Sequence, residues 1–151
     1  MSTKGHSKSS GLPQLPCACA TLRRAARAFS QAYDEAIRPS GLRGTQFSLL
    51  QVLERMGTAT QGQLSRVLAM DSTTLSRTLK LLEDEGWIDI VYGKDRRERH
   101  ISLTRRGREQ LEDATPLWND VQRRVQAALG KPAWLELMAV LDRATAAVEQ
   151  A

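Results

Sequence analysis

The chain has 151 residues, 41% hydrophobic and 26% charged, with 22 Lys and Arg against 17 Asp and Glu for a formal charge of +5. That length suits one domain with a real core, and the longest apolar runs are far too short to span a bilayer, so no membrane partner is expected. The opening MSTKGHSKSSGLPQLP lacks the apolar core of a secretory signal, so the expected compartment is the reducing cytoplasm, with Cys17 and Cys19 as free thiols.

Residues 1–16, rich in Ser, Gly, Pro and Lys, carry no apolar period and are expected to form an unstructured arm. From Cys17 to Ile37, Leu22, Ala26, Phe29, Tyr33 and Ile37 recur at spacings of 4, 3, 4 and 4, which predicts an amphipathic helix ended by Pro39, Ser40 and Gly41. Thr45 is placed to cap the next helix, which holds Phe47, Leu49, Leu50, Val52, Leu53 and Met56 and closes at Gly57. Thr60 then starts a short helix with Leu64, Val67 and Leu68 inward, and a turn of three or four residues leads to Asp71.

The stretch from Asp71 to Thr104 carries most of the functional information. Leu75, Leu79 and Leu82 stand at i, i+4 and i+7, so Asp71 to Glu85 predicts an amphipathic helix capped by Asp71 or Ser72 and stopped by Gly86. Its other face presents Ser72, Thr73, Thr74, Ser76, Arg77 and Lys80, short hydroxyls and cations that reach base edges and phosphates without crowding a groove. Trp87 to Tyr92 and His100 to Leu103 are β-prone around the polar turn Gly93 to Glu98, which predicts a hairpin with a cationic tip. Between Lys94 and Arg108 there are seven basic residues (Lys94, Arg96, Arg97, Arg99, Arg105, Arg106, Arg108) and two acidic ones. A concentrated cationic stripe of this kind is what phosphate neutralisation requires.

Thr104 is placed to cap a long helix reaching Leu129, with Leu111, Ala114, Trp118, Val121, Val125 and Ala128 as a heptad-like seam. After Gly130, Pro132 opens a last helix with Trp134, Leu137, Met138, Leu141 and Val148 inward. A small winged helix cannot bury these faces by itself, so a homodimer is expected. The fold class is therefore mainly α with a small β-wing. A winged helix-turn-helix lobe at residues 41–104 is flanked by an N-terminal helix at 17–40 and C-terminal helices at 105–151, both for dimerisation.

Over roughly Leu15 to Val148 the chain resembles MarR-family transcriptional regulators. The resemblance rests on RPSGLRGTQFSLLQVL (Arg38 to Leu53), QLSRVLAMDSTTLSRTLKLLEDEGWI (Gln63 to Ile88) and GKDRRERHISLTRRGREQL (Gly93 to Leu111). It implies double-stranded DNA with a pseudo-palindromic operator as partner, with the Asp71–Glu85 helix in the major groove. A D-x-R pair in the wing, here Asp95 and Arg97, would direct an arginine into the minor groove. Family members respond either to small, often aromatic, anions bound in a crevice beside the dimer helices or to oxidation of a cysteine near the start of the first helix. In the family's organic-hydroperoxide sensors a tyrosine follows the reactive cysteine by 14 residues, the spacing of Cys19 and Tyr33; Arg23 and Gly44 stand where the sensors' other two tyrosines would be. An Ala-rich helix also accepts cysteine as a small apolar residue.

No cofactor, metal site or enzyme is expected. Only His6 and His100 are present, with no clustered catalytic constellation. Three other readings remain open: a thiol peroxidase using Cys19, a metal sensor using the Cys17/Cys19 pair, and a structural nucleoid protein with the same basic stripe.

Overall fold

The computed structural model describes residues 16–150; the expected N-terminal arm lies almost wholly outside them. Six α-helices and three short strands follow in the order α1 (Ala18–Ile37), a 3-10 turn (Arg38–Ser40), α2 (Gly44–Met56), β1 (Thr58–Thr60), α3 (Gln61–Leu68), α4 (Ser72–Asp84), β2 (Ile88–Tyr92), β3 (Arg99–Leu103), α5 (Arg105–Leu129) and α6 (Lys131–Glu149). No helix is long and apolar enough to cross a membrane among the described residues.

The core lies where the helical and strand periods converge. Phe47, Leu49, Leu50 and Leu53 of α2, Leu64 of α3, Leu75, Leu79 and Leu82 of α4, and Ile88, Ile101 and Leu103 of the strands bury against Leu111 and Ala114 of α5. Each fully buried Leu or Ile contributes roughly 1.5–3 kcal/mol through removal from water. Val67, expected inward, is instead 59% exposed, because α3 turns only Leu64 fully into the core.

Local capping explains most helix starts. Thr60 and Gln63 form a reciprocal capping box on α3, and the Asp71 carboxylate accepts the Thr74 N–H of α4 at 2.8 Å. Thr104 serves two elements: its Oγ1 accepts the Gly107 N–H at 3.0 Å and donates to the Gly86 carbonyl at 2.7 Å. The start of α2 differs from expectation. The helix begins at Gly44 rather than behind a Thr45 cap, because Asp34 of α1 accepts the Gly44 N–H at 2.5 Å and Gln46 reaches back to the Arg43 N–H at 2.9 Å.

The sheet is antiparallel, in the order β1-β3-β2, with Ile90 opposite Ile101 and Ala59 on the other side of Ile101. β1 is an element the sequence reading did not separate from the Thr60 cap. It ties the entrance to α3 onto the base of the hairpin, so the helix-turn-helix and the wing share one frame.

At the other end, α5 packs along α1 and α2, while α6 folds back on α5 without burying any residue completely. Met138 and Val148, expected inward, are exposed, Val148 at 77%. Leu22 and Phe29 of α1, Leu129 at the end of α5 and Leu135 of α6 are exposed with them, so these helices carry large apolar side chains on their outer surface.

Candidate nucleic-acid interface

The α3–α4 pair is joined by three residues, Ala69 to Asp71, and Ala69 adopts the left-handed conformation (φ 49°) that ends α3 and redirects the chain. Asp71 fixes where α4 begins. Its Oδ1 accepts the Thr74 N–H and its Oδ2 accepts the Thr74 hydroxyl at 2.6 Å. These bonds, the Thr74 hydroxyl first, hold the Asp71 carboxyl below the usual carboxylate range. A carboxylate with a depressed folded-state pKa stabilises at neutral pH, and that contribution disappears as pH falls through the folded value. Asp71→Ala is therefore expected to lower the thermal midpoint at pH 7, with the deficit against wild type narrowing on acidification below the carboxylate range. A pH-independent deficit in paired melts would contradict the capping role.

On the outer face of α4, Ser72, Thr73, Thr74, Arg77 and Lys80 are exposed. Ser76 is half-buried, and its hydroxyl accepts from Gln61 Nε2 at 2.7 Å, which locks α4 to the first residue of α3. Gln61 was not legible as a site residue, because the bond crosses two helices. Lys80 pairs with Asp84 at 2.6 Å, and that hydrogen bond raises the ammonium pKa; Arg77 is the exposed cation of the face with no such neighbour at i+4.

The wing tip exposes Lys94, Asp95, Arg96, Arg97 and Glu98. Asp95 shapes the turn: its Oδ1 accepts the Arg97 backbone N–H at 3.1 Å, and its carbonyl accepts the Glu98 N–H at 2.9 Å. Arg99 sits at the base of the wing, 5.7 Å over the ring of Tyr92, its cross-strand partner. The basic run divides beyond this point: Arg105 pairs with Glu109 on α5, and Arg108 pairs with Glu54 of α2 at 3.4 Å. The concentrated part of the stripe is thus Lys94, Arg96, Arg97 and Arg99.

The candidate sensor residues are not assembled within one chain. Cys17 and Cys19 are both exposed in the single chain. Fourteen residues of straight helix separate Cys19 from Tyr33, roughly 21 Å. Tyr33 instead donates its hydroxyl to Gln122 of α5, and burial pushes its phenol pKa up. Among the described residues no three His, Cys, Asp or Glu side chains gather as a metal set.

Beside Tyr33 lies a cavity of about 480 Å³. Its walls come from α1 (Phe29, Tyr33, Asp34), the start of α2, the α3–α4 turn through Met70, and Trp118 of α5. Phe47 stacks behind Trp118 with ring centres 5.6 Å apart and lies in the core rather than the lining.

A helix-turn-helix braced by a three-stranded sheet, with a cationic hairpin beside the second helix, defines the winged helix-turn-helix class of transcriptional regulators. The MarR family model matches residues 40–98, the segment holding both helices and the wing. The chain is 42% identical to the transcriptional regulator MosR of Mycobacterium tuberculosis, solved in complex with DNA, covering 87% of this chain and 98% of that one with a TM-score of 0.76. It is 32% identical over 92 residues to the uncharacterised HTH-type transcriptional regulator YwoH of Bacillus subtilis, 61% of this chain and 67% of that protein. A cysteine variant of E. coli MarR complexed with operator DNA shares the fold, with 21% identity, a TM-score of 0.76 and coverage of 83% and 91%. The chain belongs to the MarR family.

Proposed function

We propose that the protein acts as a homodimer that reads a pseudo-palindromic operator and represses transcription until a small molecule enters the Tyr33 cavity. The observation that carries the DNA-binding part is the division of α4 into two faces. Leu75, Leu79 and Leu82 are completely or almost completely buried, whereas Ser72, Thr73, Thr74 and Arg77 are exposed and stand beside a wing of four cations. The inner face fixes the helix and the outer face is left for base edges in the major groove, with Arg97 reaching the adjacent minor groove, where a narrow groove concentrates negative potential. The complex of MosR with DNA supports the same reading.

Dimerisation follows from the apolar surface of α1 and α6. Leu22, Phe29, Leu135, Met138 and Val148 are too many large side chains for a stable solvent-facing surface, and a second copy covers them by two-fold symmetry. Two α4 helices then meet half-sites about 34 Å apart, one turn of DNA.

The cavity is suited to control because it touches both the dimer helices and Met70, the residue before the Asp71 cap. A ligand that binds only one setting of α4 shifts the population toward it by its differential affinity. Control by oxidation is a second reading, favoured by the exposure of Cys17 and Cys19 at the start of α1. It requires that organic hydroperoxide release the wild-type protein from DNA and not a Cys19→Ser variant; equal release, or none from either, contradicts it.

Binding should fall steeply with salt. Each phosphate contact made by Lys94, Arg96, Arg99 or Arg77 adds roughly −0.9 to the slope of log affinity against log salt. Lys80 is expected to add less, because Asp84 already holds its ammonium. Fluorescence anisotropy of a labelled operator duplex across a salt series measures this, and a flat dependence removes the electrostatic basis of the assignment.

A further inference from the structure

The Tyr33 cavity has an uneven charge. Three aromatic rings line it: Phe29 stacks on Tyr33 with centroids 6.4 Å apart and planes 18° from parallel, and Trp118 tilts against Tyr33 at 6.4 Å. Among the described residues the single charged side chain in the lining is the Asp34 carboxylate, and no described Lys, Arg or His joins it. Arg27, Arg38, Arg43 and Arg66, the cations nearest the lining segments in sequence, are exposed and outside the lining. The start of α2 also opens here, and a helix N-terminus ordinarily favours an anion. In this chain that place is taken, because Asp34 Oδ1 already accepts the Gly44 N–H at 2.5 Å. A carboxylate ligand would meet the Asp34 charge with no cation among the described lining residues to offset it, whereas a cationic aromatic group would meet a counter-ion and three aromatic rings.

We propose that the Tyr33 cavity takes a flat, cationic aromatic ligand, with Asp34 as its counter-ion and the Phe29, Tyr33 and Trp118 rings as its walls. This rests on the reading of the cavity as the effector site and names the class of effector. A two-ring ligand fits within a cavity of about 480 Å³ with room to spare.

The test uses three ligands of one shape and different charge, 2-naphthamidine, 2-naphthamide and 2-naphthoate, titrated calorimetrically into the full-length protein at pH 7. The amidine is expected to bind about tenfold more tightly than the carboxylate, with the amide between, as one partly screened charge pair allows. Asp34→Asn should reduce that preference to within about twofold while leaving amide binding unchanged, because asparagine keeps an oxygen for the Gly44 N–H and removes only the charge. Circular dichroism of the variant checks that α2 still forms. Equal or tighter binding of the carboxylate, an unchanged preference in Asp34→Asn, or no binding by any of the three overturns the proposal. Anisotropy with operator duplex, run with and without saturating amidine, separates the two levels: tight amidine binding that leaves DNA affinity untouched sinks the regulatory reading and not the ligand class.

Discussion

Gly107→Ala is expected to destabilise the protein by about 3 kcal/mol, although alanine is the better helix former by about 1 kcal/mol. The sign is set by one close approach. A Cβ on Gly107 would lie 2.0 Å from the Trp87 carbonyl oxygen and 2.9 Å from its carbon, both backbone atoms. That carbonyl also accepts the Thr104 N–H at 3.0 Å, so it cannot move aside without releasing the joint between the wing and α5. Gly62, in the first turn of α3, provides the control, since nothing lies within 4 Å of the Cβ it lacks. Gly62→Ala is expected to stabilise by roughly 0.5–1 kcal/mol. Urea melts of both variants measure the pair, and a Gly107→Ala protein as stable as wild type would show that α5 does not press on Trp87.

Arg97→Ala is expected to weaken operator binding by about 1–3 kcal/mol, roughly 5- to 150-fold, while changing stability by less than about 0.5 kcal/mol. The guanidinium lies on an exposed hairpin tip, so its removal leaves no cavity and breaks no core contact. Asp95 supplies a sharper comparison. Because its carboxylate accepts the Arg97 N–H, Asp95→Asn keeps the acceptor and should bind DNA nearly as wild type, whereas Asp95→Ala frees the turn and should lose part of the affinity. If asparagine and alanine were equally damaging, the negative charge itself would matter and the backbone role would be wrong. Wild-type affinity in Arg97→Ala would remove the wing from the interface.

The helix-turn-helix and wing were legible because their determinants are local. Leu75, Leu79 and Leu82 sit on one helical face, and Asp71, Thr60 and Thr104 each cap the helix that follows them within three residues. What escaped the sequence depends on distant partners. The start of α2 was misplaced at Thr45 because its cap, Asp34, lies ten residues upstream on another helix. β1 has three residues and is defined by pairing with Ser102, Ile101 and His100, far along the chain. Gly107 stood in plain view within TRRGREQL, and a glycine in the first turn of a long helix signals a close approach, but only the Trp87 carbonyl says to what. The spacing of Cys19 and Tyr33 suggested proximity that a continuous helix denies within one chain.

The most direct test of the central claim is a hydroxyl-radical footprint of the full-length protein on the DNA upstream of its own gene. The account expects a protected site with dyad symmetry, its two halves one helical turn apart, with protection lost in Arg77→Ala while that variant remains folded and dimeric. Protection without dyad symmetry, or uniform coating of the duplex that Arg77→Ala leaves unchanged, would contradict it.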